Sequence, residues 1–298
     1  MTEDPCDAPL DAASPSLPAA KKPGLVLVST PIGNLGDMSA RAVSVLRQAD
    51  VILCEDTRTS AGLLRHFDVR TRTVALHDHN EESRVAEVLG WIGAGLLVAL
   101  ISDAGTPLVS DPGFRLVRAA IVAGVAVTAV PGANAAVMAL TLSGLPPHPF
   151  LFVGFLPARQ AARVLALQRL RAAEVAGLSA TLVVYESPHR AGACLADMAA
   201  VFGDRPAALT RELTKMFEEV RRGTLAALAA AYEAVEPRGE VTIVVGPAGE
   251  AEAADVDGLL RAALRTQSVR EAAAGVAAAA GLPRKVVYAR ALELKAEE

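Results

Sequence analysis

From residue 24 onward, short apolar runs alternate with segments whose apolar positions recur every three or four residues. Runs at 25–29, 51–54, 73–76, 96–101 and 125–130 have strand length, while 39–48, 58–67, 81–92 and 114–122 carry the helical period. This alternation predicts an α/β fold with a parallel sheet covered by helices on both faces. Ser39 stands where the first helix needs its N-cap. The segment Leu145-Pro146-Pro147-His148-Pro149 cannot continue a helix and predicts a hinge. Beyond it, strand-length runs at 150–154, 181–185, 207–211, 216–221 and 240–245 include close neighbours, so a second lobe with a mixed sheet is expected. Three helical stretches follow at 256–265, 269–280 and 283–294, with Gly281 closing one helix and Pro283 opening the next.

The expected organisation is a disordered leader (1–23), an N-terminal α/β lobe (24–145), a second α/β lobe (146–248) and a helix-turn-helix-like tail (254–298). The tail reads equally well as a small packing appendage.

Composition narrows the function. The chain has 298 residues, 52% of them hydrophobic, which is enough for two packed lobes. Its formal charge of -4 excludes a protein coated with positive charge, so any RNA contact has to come from a local basic patch. At 4% aromatic residues, broad base-stacking platforms are not expected either. Cys6, Cys54 and Cys194 are widely spaced and odd in number, which argues against a disulfide framework or a zinc site and for a reducing cytoplasm. The first residues lack the basic start and apolar block of a signal peptide, and no apolar stretch is long enough to span a membrane.

The richest stretch is Ser102 to Gly113, which follows the apolar run 96–101. Gly105 permits close backbone approach, while Pro107 and Pro112 stiffen the path. A companion loop, Ser29 to Asp37, follows the first strand. Neither fits a phosphate loop or a dinucleotide fingerprint. A ligand site at the carboxyl edge of parallel strands is the natural reading.

With Glu55-Asp56-Thr57-Arg58, His77-Asp78-His79-Asn80-Glu81, Pro131-Gly132-Ala133-Asn134, Tyr185-Glu186-Ser187-Pro188-His189-Arg190 and Arg211-Glu212-Leu213-Thr214-Lys215, these loops make seven ordered motifs. In that order they resemble the 16S ribosomal RNA 2′-O-ribose methyltransferases, a branch of the tetrapyrrole-methylase superfamily. The resemblance runs from about Gly24 to Gly246, with a similar helical tail beyond.

It implies a two-lobed class III methyltransferase that uses S-adenosylmethionine to methylate a cytidine ribose in the decoding region of 16S rRNA, acting on RNA or the small subunit as a homodimer. The implied cofactor contacts are Pro31, Ala104, Gly105, Thr106, Val109, Asn134, Ala135, Tyr185 and Leu213. Two other readings are a tetrapyrrole methylase, which would share the donor pocket, and a non-catalytic RNA-binding module.

Methyl transfer needs alignment rather than a metal, and a carboxylate or histidine beside the sugar hydroxyl would help. Glu55 and Asp56 are the candidate bases and Arg58 a phosphate contact, although Asp56 or Thr57 also suits a helix cap. On a strand, His77 and His79 would share a face. Without a clear third metal ligand, they are read as substrate contacts and Asn80 as a helix cap. His189 and Arg190, after a Ser187 cap, point to RNA or cofactor contact. Lys215 is either a substrate contact or part of an ion-pair network with Arg211 and Glu212. Arg159, Arg163, Arg169 and Arg171 form an acid-free basic stretch, read as a phosphate-tracking face or a solvated helix surface. The family tends to carry more lysine there.

Overall fold

A computed structural model describes residues 22–233, 237–248, 256–280 and 284–296. The leader as far as residue 21, and the helix-ending signals Gly281 and Pro283, lie outside the described residues. Two compact units emerge, one holding residues up to 30 together with 38–131, the other holding 31–37 and 132 onward.

In the first unit, β1 (Gly24–Val28), β2 (Val51–Cys54), β3 (Arg72–Ala75), β4 (Leu97–Ile101) and β5 (Val127–Val130) form one sheet in the order β3-β2-β4-β1-β5. Every pairing is parallel, with Leu25 opposite both Val98 and Val127. Alternation along the strands divides the core: Leu97, Ala99 and Ile101 pack on one face, Val98 and Leu100 on the other. Helices α1 (Ala40–Gln48), α2 (Thr57–His66), α3 (Glu81–Gly93) and α4 (Phe114–Val122) connect the strands. Ser39 caps α1 as expected, its side chain accepting from Ala42 N–H at 3.1 Å.

The second unit begins with α5 (Ala135–Ser143), which the sequence pattern does not reveal because it is apolar on every side. Its Ala136, Ala139 and Leu140 pack with Val183 and Val244 of the second sheet. That sheet, in the order β6-β7-β10-β8-β9, comprises β6 (Phe150–Phe155), β7 (Thr181–Glu186), β8 (Pro206–Arg211), β9 (Glu219–Thr224) and β10 (Val241–Val245). The pair β6-β7 is parallel and the others antiparallel, which makes the sheet mixed. β9 starts three residues later than the pattern predicts. The chain turns through Glu212 and Thr214, at φ 50 and 67, before it can extend, leaving Met216 and Phe217 exposed in the turn. As an edge strand, β9 presents exposed Arg221 and Arg222.

Helices α6 (Gln160–Val175), α7 (Ala191–Phe202) and α8 (Leu225–Ala231) complete this unit's α/β body. The basic stretch on α6 does not form a surface. Arg163 is buried, with its guanidinium on Asp197 of α7 at 2.7 Å, and Gln160 donates to the same carboxylate at 2.9 Å. Arg171 lies 3.4 Å from Glu174, which also takes a bidentate fork from buried Arg205. Only Arg159 and Arg169 of the four are exposed. The tail forms α9 (Val256–Leu264), α10 (Val269–Ala280) and α11 (Arg284–Ala296), packed on one cluster of their own that includes Leu260, Val276, Val287 and Leu294.

Candidate functional site

Each loop of the first unit singled out from sequence leaves the carboxyl edge of its parallel sheet, where ligands of such sheets bind. The loops after β1 and β4 are joined directly. Thr30 N–H donates to Gly105 O at 2.9 Å and Gly105 N–H to Thr30 O at 3.2 Å. The Thr30 hydroxyl donates to Ser102 O at 3.1 Å, and the Ser102 hydroxyl to Gly105 O at 2.9 Å. Gly105 has φ 87, and Leu108 and Ser110 are also left-handed, so the loop folds back on itself with Ala104 exposed and Thr106 and Val109 half-buried.

Acids gather around this turn. Burial, reinforced by Glu55 and Asp103, pushes the Asp111 carboxyl up to about 6, although a hydrogen bond with Ser102 opposes the shift. Glu55 and Asp103 are also raised, chiefly by burial and then by neighbouring carboxylates. Asp56 behaves differently. It accepts from Arg58 N–H at 2.8 Å as the cap of α2 and pairs with the Arg58 guanidinium at 2.9 Å, which holds it down at about 2. The three residues first considered for the chemistry are thus divided: Glu55 is open, while Asp56 and Arg58 engage each other. Asp103 and Asp111 were missed because the loop was read for its glycine and prolines. Their signal was two acids within one strand-to-helix turn.

The histidine segment is a turn rather than a strand. The rings of His77 and His79 lie 6.0 Å apart, edge to face, rather than side by side on a pleat. Asn80 does not cap α3; its side chain accepts from His77 N–H and donates to Ala75 O, pinning the turn. Buried Glu81 faces inward and accepts from Leu116 N–H of α4 at 3.0 Å. Among the described residues, no group of three or more His, Cys, Asp or Glu side chains is placed to hold a metal.

The second unit gathers most of the remaining predicted contacts. Asn134 caps α5, accepting from Val137 N–H at 3.1 Å. Ala136 N–H donates to the Tyr185 hydroxyl at 3.1 Å, and the Tyr185 ring lies against Phe152 and Phe155. Ala135, Tyr185 and Leu213 share one cluster with Ile32, which follows buried Pro31. Beside Leu213, the buried Thr214 hydroxyl has no hydrogen-bond partner among the described residues.

Lys215 lies across Gly33, so closely that a Cβ there would fall 2.3 Å from Lys215 Cε. Its ammonium bridges Glu212 and Glu240, each at 2.9 Å, and Arg211 pairs with Glu219 at 2.6 Å. The ion-pair network expected around Arg211 and Glu212 is therefore present. Ser187 makes no side-chain cap; it accepts from Arg190, whose guanidinium also meets the buried Glu186 carboxylate. His189 is exposed.

Comparison with known proteins places this architecture. Residues 24–229 match the family model for Tetrapyrrole (Corrin/Porphyrin) Methylases, and residues 250–295 match the RsmI C-terminal HTH domain. A ribosomal RNA small subunit methyltransferase I from Mesorhizobium japonicum is 47% identical over 279 residues, covering 92% of this chain and 93% of the relative. The chain belongs to the ribosomal RNA small subunit methyltransferase I family. A second member of this methyltransferase I family, from Micromonospora olivasterospora, is 50% identical over 271 residues, 89% of this chain and 85% of that protein.

The fold extends beyond the methyltransferase I family. A structure of uroporphyrin-III C-methyl transferase from Thermus thermophilus, complexed with S-adenyl homocysteine, matches with a TM-score of 0.51 at 20% identity, over 74% of this chain and 96% of that one.

Proposed function

We propose that this chain methylates the 2′-hydroxyl of a cytidine ribose in the decoding region of 16S rRNA, within the small subunit, as a cytoplasmic homodimer. The observation that carries the reading is the 47% identity, along nearly the whole chain, to a small-subunit rRNA methyltransferase.

S-adenosylmethionine, when bound, supplies the methyl group from its sulfonium. The residues present suit such a group. Ala104 is exposed on a turn that buried Gly105 fixes through its bonds with Thr30, Tyr185 offers an aromatic wall, and the Thr214 hydroxyl is an unpaired buried partner. Pro31, Ala104, Gly105, Thr106, Val109, Asn134, Ala135, Tyr185 and Leu213 hold the donor in this reading.

The chain's own part in the chemistry is alignment and proton removal. Glu55 and Asp111 are the acceptors for the sugar proton, because burial keeps each more basic than an ordinary carboxylate. Asp56, held low by Arg58, is the weaker base and instead fixes the start of α2. Arg58, His77, His79, His189 and Arg190 meet the RNA in this reading, while Lys215 is held in its ion pairs with Glu212 and Glu240.

The test is incubation of purified protein with isotopically labelled donor and unmodified small subunits, followed by mapping of the modified ribose. Label at a decoding-region cytidine 2′-oxygen is expected; label on a base, or on a tetrapyrrole in place of RNA, defeats the reading. Sedimentation of the purified protein at the mass of one chain would remove the homodimer.

A further inference from the structure

The three tail helices have a charge balance opposite to that of the whole chain. The helices hold six Lys and Arg against three acids, while residues 254–298 as a whole, with Arg265, Asp255, Glu297 and Glu298, hold seven against six in a protein whose formal charge is -4. The three acids of the helices are engaged within the tail. Asp257 and Glu293 both pair with Arg290, at 2.5 and 2.7 Å, and Glu271 closes a capping box with Ser268 at 2.7 Å. Arg290 is therefore an internal strut joining α9 to α11.

The remaining charge on α11 is ordered. Val287, Ala291 and Leu294 point into the tail's own core. At 3.6 residues per turn, Arg284, Lys285, Tyr288, Leu292 and Lys295 fall within roughly 100° of the circumference. Each is exposed, Tyr288 by 40% and Leu292 by 48%. Arg290 and Glu293 fall on the opposite flank, so this stripe contains no acid.

We propose that the stripe Arg284, Lys285, Tyr288, Leu292 and Lys295 of α11 is an RNA-holding surface, its three cations lying along phosphates and Tyr288 against a sugar or base. The inference rests on the reading that the substrate is RNA. Charge complementarity selects the partner: three cations with no carboxylate among them gain most from a polyanion of regularly spaced phosphates. Tyr288 and Leu292 offer too little apolar surface to anchor a lipid layer or a protein core. The tail thus grips the substrate while the loops at the sheet edges carry the chemistry.

The full chain with Arg284→Gln, Lys285→Gln and Lys295→Gln together tests this, with the single changes Lys285→Gln and Lys295→Gln as a second set on exposed positions. Affinity for a small-subunit RNA fragment is measured across a salt series, beside donor affinity and thermal midpoint. The triple variant is expected to bind RNA about 10-fold or more weakly at ~0.1 M salt. Its slope of log affinity against log salt should fall by about 2–3, and each single change should lower it by about 1. Donor affinity and midpoint should stay as in the parent. Unchanged RNA affinity and slope in the single variants overturn the proposal, as does a loss seen only with anionic vesicles or an acidic peptide. Failure of the parent to methylate subunits while RNA binding still depends on the stripe would strike the proposed function and leave this surface standing.

Discussion

Thr30 and Gly105 exchange two backbone hydrogen bonds across the loops that follow β1 and β4, at 2.9 and 3.2 Å, so neither loop is positioned without the other. Gly105 achieves this at φ 87, where any side chain is strained. Gly105→Ala is expected to cost about 1–3 kcal/mol and to weaken donor binding. Ser102→Ala, which removes the hydroxyl bond to Gly105 O and the one with the Asp111 carboxyl, should cost about 1–2 kcal/mol. Thermal melts and titration calorimetry with the donor check both.

Asp111 makes stability and rate respond oppositely to pH. Its carboxyl titrates at 3.8 in an open chain and near 6 in the fold, so between those values the folded state keeps a proton that the unfolded state has released. That contribution is complete below about pH 4 and is lost as pH rises through about 6. Asp111→Asn should therefore melt higher than the parent at pH 8, by on the order of a few degrees, with the gap closing near pH 4. Turnover should instead rise through about pH 6 as a base is uncovered, and lose about 100-fold or more in Glu55→Gln or Asp111→Asn with donor affinity kept. A pH-independent turnover, with both variants fully active, counts against these acids.

Arg163 and Asp197 are sealed together between α6 and α7, with side-chain exposures of 4% and 9%. Removing the cation alone leaves a buried anion, so Arg163→Met should cost about 3–5 kcal/mol. Changing Asp197→Leu as well should recover most of that loss. Denaturant midpoints of the two single variants and the double variant give the coupling directly.

Tyr185 supplies an acceptor to Ala136 N–H in the first turn of α5, where helical donors lack partners. Tyr185→Phe should lower stability by about 1 kcal/mol, and by calorimetry should weaken donor binding more than it lowers the melting point, if the ring and its hydroxyl wall the cofactor.

Much of the fold was legible because its signals are local. The first sheet follows from buried runs such as Leu97–Ile101, and Ser39 caps the helix it was assigned. α5 was not legible, since a helix that is apolar all round has no period to detect. β9 was misplaced because left-handed Glu212 and Thr214 lengthen a turn that composition does not announce. In the site, the loops were recognisable by order and chemistry, but the division of labour between acids was not. Glu55 and Asp56 are neighbours in sequence, and only the Arg58 side chain, turned back onto Asp56, separates their roles. Arg163 likewise reads as surface charge until Asp197 arrives from the next helix.

The outer strand β9 bears on how the protein behaves when crowded. An uncovered sheet margin is a template for any other strand, including the same strand of another copy. With Arg221 and Arg222 on that margin, two copies meeting there would bring like charges together, so chance strand-to-strand joining is discouraged. Replacing both with threonine would make concentrated solutions prone to aggregate, and would also remove the Arg222 bonds to Leu142 O and the Arg221 guanidinium over the Tyr232 ring.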